Sequence, residues 1–264
     1  MSSYHPRLSV VIPTHNRPQL LERAVRSVLA QDGHDVEVVV VDDASETPAR
    51  LAPDLIGRRV QVLRNPTNAG VAVSRNRGIE AAGGRYVAFL DDDDVWRPGF
   101  AEAALSALEA APSEPAFCWC SIANVDHAPD GSVAGIRPRL FRATRSPQEM
   151  VSAALSIGTS WGLTVERACF ALAGVFDPSY RLIEDTEFIL RLLDAGCVPK
   201  LVSEPLVEIH HYPDASRPTH ATRNRERVGE IDRMLAAYST FFARHPDTAA
   251  GLRTYSAELL RAGS

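Results

Sequence analysis

The chain has 264 residues, of which 45% are hydrophobic and 23% charged, and its formal net charge is −5 at pH 7. These values are typical of a globular protein and give no reason to expect nucleic acid or an anionic membrane as the main partner. No apolar run reaches the ~18 residues that cross a bilayer, and the polar start MSSYHPRLS does not resemble a secretory signal. We therefore expect no transmembrane segment and a cytoplasmic location, with peripheral contact at the inner membrane face left open.

Strands and helices alternate along the first hundred residues. Short β-branched runs predict buried strands, and apolar residues at helical spacing predict amphipathic helices. This alternation favours an α/β fold with an open, mostly parallel central sheet flanked by helices. The predicted strands cover residues 8–13, 36–41, 60–63 and 85–90, and the predicted helices cover residues 18–31 and 71–82.

After about residue 100 the alternation is less regular. Residues 127–147 are polar and rich in Pro and Arg, and they predict a connecting loop. Residues 198–213 predict two short strands, and the chain from about residue 220 onward predicts two amphipathic helices. Helices are also predicted over residues 99–111 and 184–196, and a strand over residues 116–125.

Three of the predicted strands end in stretches of polar or acidic residues, namely Pro13–Asn16, Asp42–Asp43 and Asp91–Asp94. Open α/β sheets bind ligands beyond the carboxyl ends of their strands. We therefore expect these three tips to face one crevice.

The run Asp91–Asp94 follows an apolar strand directly. On an extended backbone Asp91 and Asp93 share one face, where two carboxylates either raise one pKa or bind a cation. Paired carboxylates suit Mg²⁺ or Mn²⁺, which leave coordination positions for water and phosphate oxygens. The alternative is a hydrated acidic turn that caps the helix beginning near Pro98. Because a buried strand delivers the acids to the ligand end of the sheet, we favour the metal site.

The pair Asp42 and Asp43 stands in the same relation to the strand before it. Acidic side chains there can accept hydrogen bonds from a base N–H or a ribose hydroxyl. The alternative is that they cap the segment 44–52. The first strand is followed by no G-x-G-x-x-G, and the chain contains no phosphate-binding G-x-x-x-x-G-K-[ST], so dinucleotide and P-loop sites are weakly supported.

Five stretches occur in the order and spacing of the family-2 inverting glycosyltransferases: VVIPTHNR, VVVVDDAS, NAGVAVSRNRGI, GRYVAFLDDDD and EDTEFILRLLDAG. The chain thus resembles this family, which has the GT-A fold, a nucleotide-diphospho-sugar transferase fold with two abutting α/β halves. The resemblance implies a transferase domain over residues 1–215 and a C-terminal helical segment over residues 216–264. Within the domain, residues 1–100 would bind the nucleotide and residues 101–215 would bind the acceptor and carry the catalytic residues.

The resemblance also implies a nucleotide-diphospho-sugar donor, with a UDP-sugar favoured, bound at the strand tips. Asp43 resembles the aspartate that binds a uracil-type base, and Asp91-Asp92-Asp93 resembles the D-x-D element of the family. Arg75 and Asn76 match the family's A-R-N helix start, although Ser74 replaces the usual Ala. The donor-binding residues so implied are Pro13, Thr14, His15, Asn16, Arg17, Asp42, Asp43, Arg75, Asn76, Asp91 and Asp92.

Asp93 would bind a divalent metal, Mn²⁺ or Mg²⁺, with Asp91 beside it, and Asp94 is expected only as a cap. His210 and His211 follow the last predicted strand, and a third metal ligand from either of them stays open beside packed or solvent-facing roles. Arg217, in the same stretch, could bind phosphate.

The stretch IEDTEF resembles the family's E-D motif, which makes Asp185 the candidate general base, with Glu184 beside it. The resemblance implies direct displacement at the anomeric carbon by an acceptor hydroxyl, with inversion. The simpler alternative is that both acids only cap the helix that they begin.

Two other functions stay open at this point. A non-catalytic sugar-nucleotide or glycan-binding module would bind the nucleotide but release no UDP. A nucleotidyltransferase of similar sheet topology would need a Gly-rich, Lys-containing loop after the first strand, which is absent. The acceptor, whether glycan, lipid-linked sugar, protein or natural product, is not specified; its pocket is expected within residues 120–165 and the C-terminal segment. Trp96 and Trp161 could stack on sugars or pack in the core, and a homodimer through residues 220–260 stays open.

Overall fold

The computed structural model describes residues 6–31, 35–55, 59–110, 114–142, 146–158, 161–213 and 223–262. Within these ranges nine strands form one sheet in the order β3-β2-β1-β4-β8-β6-β9-β5, with β7 paired to β6. The strands are β1 (Leu8–Thr14), β2 (Val36–Asp42), β3 (Val60–Arg64), β4 (Tyr86–Phe89), β5 (Val95–Trp96), β6 (Ala116–His127), β7 (Val133–Arg139), β8 (Thr164–Glu166) and β9 (Val198–His211).

Helices cover both faces of this sheet. The described helices are α1 (Pro18–Leu29), α2 (Val71–Ala81), α3 (Phe100–Glu109), α4 (Pro147–Ala154), α5 (Arg167–Ala173), α6 (Glu184–Asp194), α7 (Asn224–Ala237), α8 (Ser239–Arg244) and α9 (Pro246–Ala262). The predicted fold class, a mostly parallel α/β sheet flanked by helices and followed by C-terminal helices, is confirmed.

The parallel strands bring the predicted tips together. β1 lies between β2 and β4 and is parallel to both, with Thr14 in register with Asp42. The polar residues that follow these three strands therefore emerge at one edge of the sheet, as expected for a ligand crevice in an open α/β fold.

Alternation along β1 explains how the core forms on both faces. Val10 and Ile12 are buried in one cluster with the apolar faces of α1 and α3, whereas Val11 is buried in a second cluster with residues of α2, α5 and α6. A strand that is covered on both faces is apolar throughout, which is why its sequence shows no polar alternation.

Gly78 lets α2 approach β1 closely. A Cβ atom at this position would overlap the side chain of Val11. Because glycine has no side chain, the helix lies directly on the strand. This contact fixes the distance between the sheet and the helix that carries Arg75.

Three local predictions are wrong in detail. Part of the predicted loop 127–147 is β7, which pairs antiparallel with β6 while its side chains are mostly exposed, so it has no buried face to produce alternation. Residues 198–211 form one strand, whose pairing with β6 shifts register near Pro205 instead of ending there. The C-terminal part contains three helices, α7 to α9, rather than two.

None of the helices in the described ranges is both long enough and apolar enough for a bilayer crossing. 

Candidate functional site

The four aspartates after β4 lie at the carboxyl edge of the sheet. Asp92, Asp93 and Asp94 are buried, and Asp91 is half-buried. Asp91, Asp93 and Asp94 each place one carboxylate oxygen within 4.8 Å of the others. Three hard oxygen ligands this close fit a small divalent cation, which the residues on this turn could hold together with water and phosphate. The geometry fits the predicted metal site.

Residues of the β1 tip hold the acidic turn from one side. Thr14 Oγ1 donates to Asp92 Oδ2 at 2.7 Å, and Arg17 Nη1 lies 3.1 Å from Asp92 Oδ1 and 3.3 Å from Asp93 Oδ2. Burial raises the pKa of Asp92 to about 6, although Thr14 and Arg17 oppose this shift. Arg17 therefore supplies positive charge at the acidic turn.

Arg23 holds the turn from the side of α1. Its Nη2 donates to the backbone carbonyl of Asp93 at 2.6 Å, and its Nη1 donates to the hydroxyl of Tyr212. The backbone N–H of His210 donates to Asp94 Oδ1 at 3.1 Å. The carboxyl end of β9 and the acidic turn are thus joined directly.

The two histidines of β9 contact other side chains. His210 Nδ1 lies 2.8 Å from His127 Nε2, and His211 Nε2 lies 2.9 Å from Asn124 Oδ1. Burial and the nearby Arg23 charge lower the pKa of His210 to about 4, so its imidazole is neutral at pH 7. In the part of the chain that the structure describes, the cluster of possible metal ligands contains aspartates and no histidine.

Arg75 connects the acidic turn to α6. Its buried guanidinium donates from Nη2 to Asp91 Oδ1 at 3.0 Å and from Nη1 to Glu184 Oε1 at 2.8 Å. The guanidinium carbon also lies 5.4 Å from the ring centroid of Phe176. Burial is the main cause that raises the pKa of Glu184 to about 7; the charge of Asp185 adds to the shift and Arg75 opposes it. Arg75 thus fixes Glu184 relative to the aspartates.

Asp185 is the second residue of α6 and follows Glu184 of this ion pair. Its Oδ1 accepts from the backbone N–H of Thr186 at 2.7 Å, and the residue is half-buried. A Cβ atom built on Gly158 would lie 3.4 Å from Asp185 Oδ2 and 3.4 Å from Trp161 Nε1. Asp185 Oδ2 and the indole N–H of Trp161 therefore lie close to the same point beside Gly158.

Asp42 and Asp43 hold the loops around the crevice. Asp42 accepts from the backbone N–H groups of Ser45 and Ala49 at 2.8 and 2.9 Å and pairs with Arg64. Asp43 accepts at both oxygens, and its donors are Asn65 Nδ2 at 2.7 Å, Ala69 N at 2.9 Å and Gly70 N at 2.8 Å. A role in binding the nucleotide base stays a prediction for both carboxylates.

The rest of the β1 tip lies against this second loop. Pro13 is buried at the end of β1. His15 Nδ1 lies 2.9 Å from the carbonyl oxygen of Asp43. Asn16 has a φ of 57° and its backbone N–H donates to Ser45 Oγ at 2.9 Å. The β1 tip and the loop after β2 thus form one connected wall of the crevice.

Asn76 binds the backbone of Phe176. Its Nδ2 donates to the carbonyl of Phe176 at 2.8 Å, and its Oδ1 accepts from the N–H of Phe176 at 2.9 Å. Its predicted contact with the donor stays a prediction. Trp96 is buried and stacks on Phe100, whereas Trp161 is only partly buried. Arg217 lies outside the described residues.

Sequence reasoning missed two residues of the site. Asp94 belongs to the ligand cluster, although we expected it only as a cap, and its place in the run of four aspartates was the available signal. Arg23 holds the acidic turn from a helix whose sequence shows only ordinary amphipathic spacing, so no local signal identified it.

Comparisons with known proteins identify the family. The model of the family described as "Glycosyl transferase family 2" matches residues 9–166. The succinoglycan biosynthesis protein ExoO of Rhizobium meliloti is 31% identical over 91% of this chain and 69% of its own length. The putative colanic acid biosynthesis glycosyl transferase WcaA of Escherichia coli is 26% identical over 92% of this chain and 82% of its own length. The putative teichuronic acid biosynthesis glycosyltransferase TuaG of Bacillus subtilis is 35% identical over 49% of this chain and 52% of its own length.

Two solved structures share the fold. The mannosyltransferase PcManGT of Pyrobaculum calidifontis, in complex with GDP-Man and Mn²⁺, has a TM-score of 0.65 at 20% identity, over 99% of this chain and 74% of that chain. S. aureus TarS 1-349 in complex with UDP has a TM-score of 0.60 at 19% identity, over 85% of this chain and 65% of that chain.

Proposed function

Because the chain belongs to glycosyl transferase family 2 and is therefore a glycosyltransferase, we propose that it transfers a sugar from a nucleotide-diphosphate donor to an acceptor hydroxyl with inversion at the anomeric carbon. The observation that carries this proposal is the arrangement around Arg75, which holds Asp91 of the acidic turn and Glu184 beside Asp185 through one guanidinium. A transfer site needs a place for the diphosphate and a base near it, and we assign these roles to the acidic turn and to Asp185.

The donor is a nucleotide-diphospho-sugar bound along the crevice wall formed by the β1 tip and the loop after β2. The solved relatives contain UDP, UDP-GlcNAc or GDP-Man. The exposed surface of this wall includes His15 and Asn16. We take a UDP-sugar as the first donor to test.

Asp91, Asp93 and Asp94 are the residues that would hold a divalent metal, Mn²⁺ or Mg²⁺. When bound, such an ion neutralises negative charge on the diphosphate as a Lewis acid. Arg17 pairs with Asp93 of this set and with the neighbouring Asp92, and it adds positive charge on this side of the crevice. The diphosphate would therefore be bound where cationic groups meet the acidic turn.

Asp185 is the proposed general base. The oxygen of the acceptor hydroxyl forms a bond to the anomeric carbon while the bond from that carbon to the diphosphate oxygen breaks, and the hydroxyl proton passes to Asp185 Oδ2. Oδ1 accepts the N–H of Thr186, and Oδ2 lies on the side of Gly158 and Trp161. Glu184, paired with Arg75, is a positioning residue in this proposal.

Three relatives are named for the biosynthesis of succinoglycan, colanic acid or teichuronic acid. On that ground we propose a saccharide as the acceptor and the cytoplasm, where nucleotide sugars are made, as the location. We also propose residues 1–215 as the transferase domain and residues 216–264 as an added helical segment. The homodimer through residues 220–260 stays a prediction.

The decisive experiment incubates the purified chain with UDP-, GDP- and dTDP-sugars, Mn²⁺ and a panel of oligosaccharides. We expect release of one nucleoside diphosphate and a product whose anomeric configuration, read by NMR, is opposite to that of the donor. Nucleotide binding without transfer in every combination would favour the non-catalytic module, and retained configuration would contradict the direct displacement.

A further inference from the structure

Trp161 lies close to both the candidate base and an arginine of β7. Its Nε1 atom and Asp185 Oδ2 would each lie 3.4 Å from a Cβ atom built on Gly158, so the indole and the candidate base are neighbours. The guanidinium carbon of Arg139 lies 4.3 Å from the centroid of the indole ring. A molecule whose hydroxyl reaches Asp185 would therefore lie close to the indole and to Arg139.

The guanidinium of Arg139 is held in place by aromatic rings. It also lies 5.5 Å from the ring centroid of Phe141, whose own ring is 5.6 Å from that of Trp161. The backbone N–H of Phe141 donates to Ser121 Oγ at 2.8 Å, which fixes this end of β7 to β6. Two rings thus orient the cation without neutralising it.

Arg139 differs in this respect from Arg137, two residues earlier on the same strand. Arg137 forms two hydrogen bonds to the carboxylate of Asp126, at 2.8 and 3.0 Å. Arg139 forms no ion pair with a carboxylate in the described ranges, and partial burial lowers the pKa of its guanidinium. Its side chain is nevertheless exposed. An oriented, exposed cation without a carboxylate partner is a site for an anion.

We propose that Trp161 and Arg139 form an acceptor subsite that selects a saccharide carrying a negative charge, on a carboxylate or a phosphate group. The acceptor hydroxyl reaches Asp185, the sugar contacts the indole, and the anionic group binds the guanidinium of Arg139. This inference rests on the proposed function, because it takes Asp185 as the general base that receives the hydroxyl proton.

Tryptophan fluorescence offers a direct test, because Trp96 and Trp119 are buried at 2% and 0% exposure while Trp161 is accessible. The protein with UDP and Mn²⁺ is titrated with methyl glucoside, methyl glucuronide or glucose 6-phosphate. The two anionic sugars represent the carboxylate and phosphate sources, and the neutral glucoside is their reference.

We expect at least one anionic sugar to quench tryptophan fluorescence at a concentration about 5-fold lower than the neutral sugar does. This factor is the upper end of what an exposed ion pair contributes. Arg139→Gln should remove this preference, Arg139→Lys should restore part of it, and Arg137→Gln, the matched control on the same strand, should keep it. A response to the glucuronide alone would identify a carboxylate acceptor, and a response to the phosphate alone a phosphorylated one. Equal responses to all three sugars, no response to any, or an equal effect of the two Gln variants would overturn the subsite.

A separate calorimetric titration of UDP and Mn²⁺ distinguishes this inference from the proposed function. Arg139→Gln should leave UDP binding unchanged, because the side-chain contacts of Arg139 among the described residues are with Phe141 and Trp161 and not with the strand tips that bind the donor in our proposal. Absence of UDP binding in the unmodified chain would overturn the proposed function, whereas loss of UDP binding in Arg139→Gln alone would overturn the assignment of Arg139 to the acceptor.

Discussion

Arg75 and Glu184, which are 109 residues apart in the chain, form a buried ion pair with 2.8 Å between Nη1 and Oε1. The same guanidinium also contacts Asp91. One side chain of α2 therefore joins the acidic turn after β4 to the first residue of α6. The relative position of the donor side and the proposed base depends on this contact.

Arg75→Met should lower the free energy of unfolding by about 2–3 kcal/mol, because it leaves two carboxylates without their shared donor in a site removed from water. Denaturant titration at pH 7 measures the change. Arg85→Met is the matched control, since Arg85 forms an exposed pair with Glu166 and should change stability by less than about 1 kcal/mol. Equal effects of the two substitutions would contradict the structural importance of the Arg75 network.

Glu184→Gln should change how stability depends on pH. The pKa of Glu184 in the folded chain is about 7, above its ordinary value of 4.5. Between these values the folded state binds more protons at this site than the unfolded state, so the contribution of Glu184 to stability falls as pH rises and levels off above about pH 7. The free energy of unfolding of the unmodified chain, relative to Glu184→Gln, should therefore decrease from pH 5 to pH 7. A constant or rising difference would be inconsistent with the raised pKa.

Asp93→Ala should abolish the metal-dependent part of nucleotide binding while the fold persists. The carboxylate lies in the ligand cluster, and its removal takes away one of three oxygen ligands. Calorimetry of UDP binding with and without Mn²⁺ measures the effect, and circular dichroism checks the fold. Asp54→Ala, at an exposed carboxylate that pairs with Arg26, is the control. Unchanged Mn²⁺-dependent affinity in Asp93→Ala would remove this residue from the metal site.

Asp94→Asn and His210→Asn test which residue completes the ligand set. In the structure Asp94 is close to Asp91 and Asp93, while His210 contacts His127. We expect Asp94→Asn to weaken Mn²⁺ binding, measured by electron paramagnetic resonance, by more than His210→Asn does. In Asp94→Asn the side-chain amide oxygen can still accept the backbone N–H of His210, so this substitution mainly removes the negative charge. A larger loss of Mn²⁺ binding in His210→Asn would make His210, rather than Asp94, the third ligand.

Asp185→Asn should leave donor binding intact and reduce turnover by ~10²–10⁴, the range for loss of a general base. The amide oxygen can still accept the N–H of Thr186, so the start of α6 should persist. Single-turnover kinetics with the donor that proves active would measure the step. Asp194→Asn, at the other end of α6 where the carboxylate pairs with Arg244, should retain turnover. Near-normal transfer in Asp185→Asn would place the base elsewhere.

The sequence predicted those parts of the site that depend on residues adjacent in the chain. Asp91–Asp94 could be placed at a ligand edge because the apolar run before them could be read as a buried strand, and parallel strands end together. The contact of Arg75 with Glu184 could not be predicted, since it depends on how α2 and α6 pack together on one face of the sheet. The contact of Asn76 with the backbone of Phe176 could not be predicted either, because it also depends on tertiary packing.

Predictions about β7 failed for a different physical reason. This strand is formed by backbone pairing with β6, and its side chains gain little burial. Hydrophobic periodicity reports burial rather than pairing, so a strand on an exposed ribbon has no periodic signal. The same exposure explains why Arg139, which lies on this strand, was not among the expected site residues.

Gly78 affects where Arg75 lies in the crevice. It lies one helical turn from Arg75 on α2, where the helix touches Val11 of β1. A methyl group at this position would push α2 away from the sheet. Arg75, on the same helix, would then move away from the carboxylates of Asp91 and Glu184. The lack of a side chain at residue 78 thus sets the helix-to-strand distance at which one guanidinium reaches both Asp91 and Glu184.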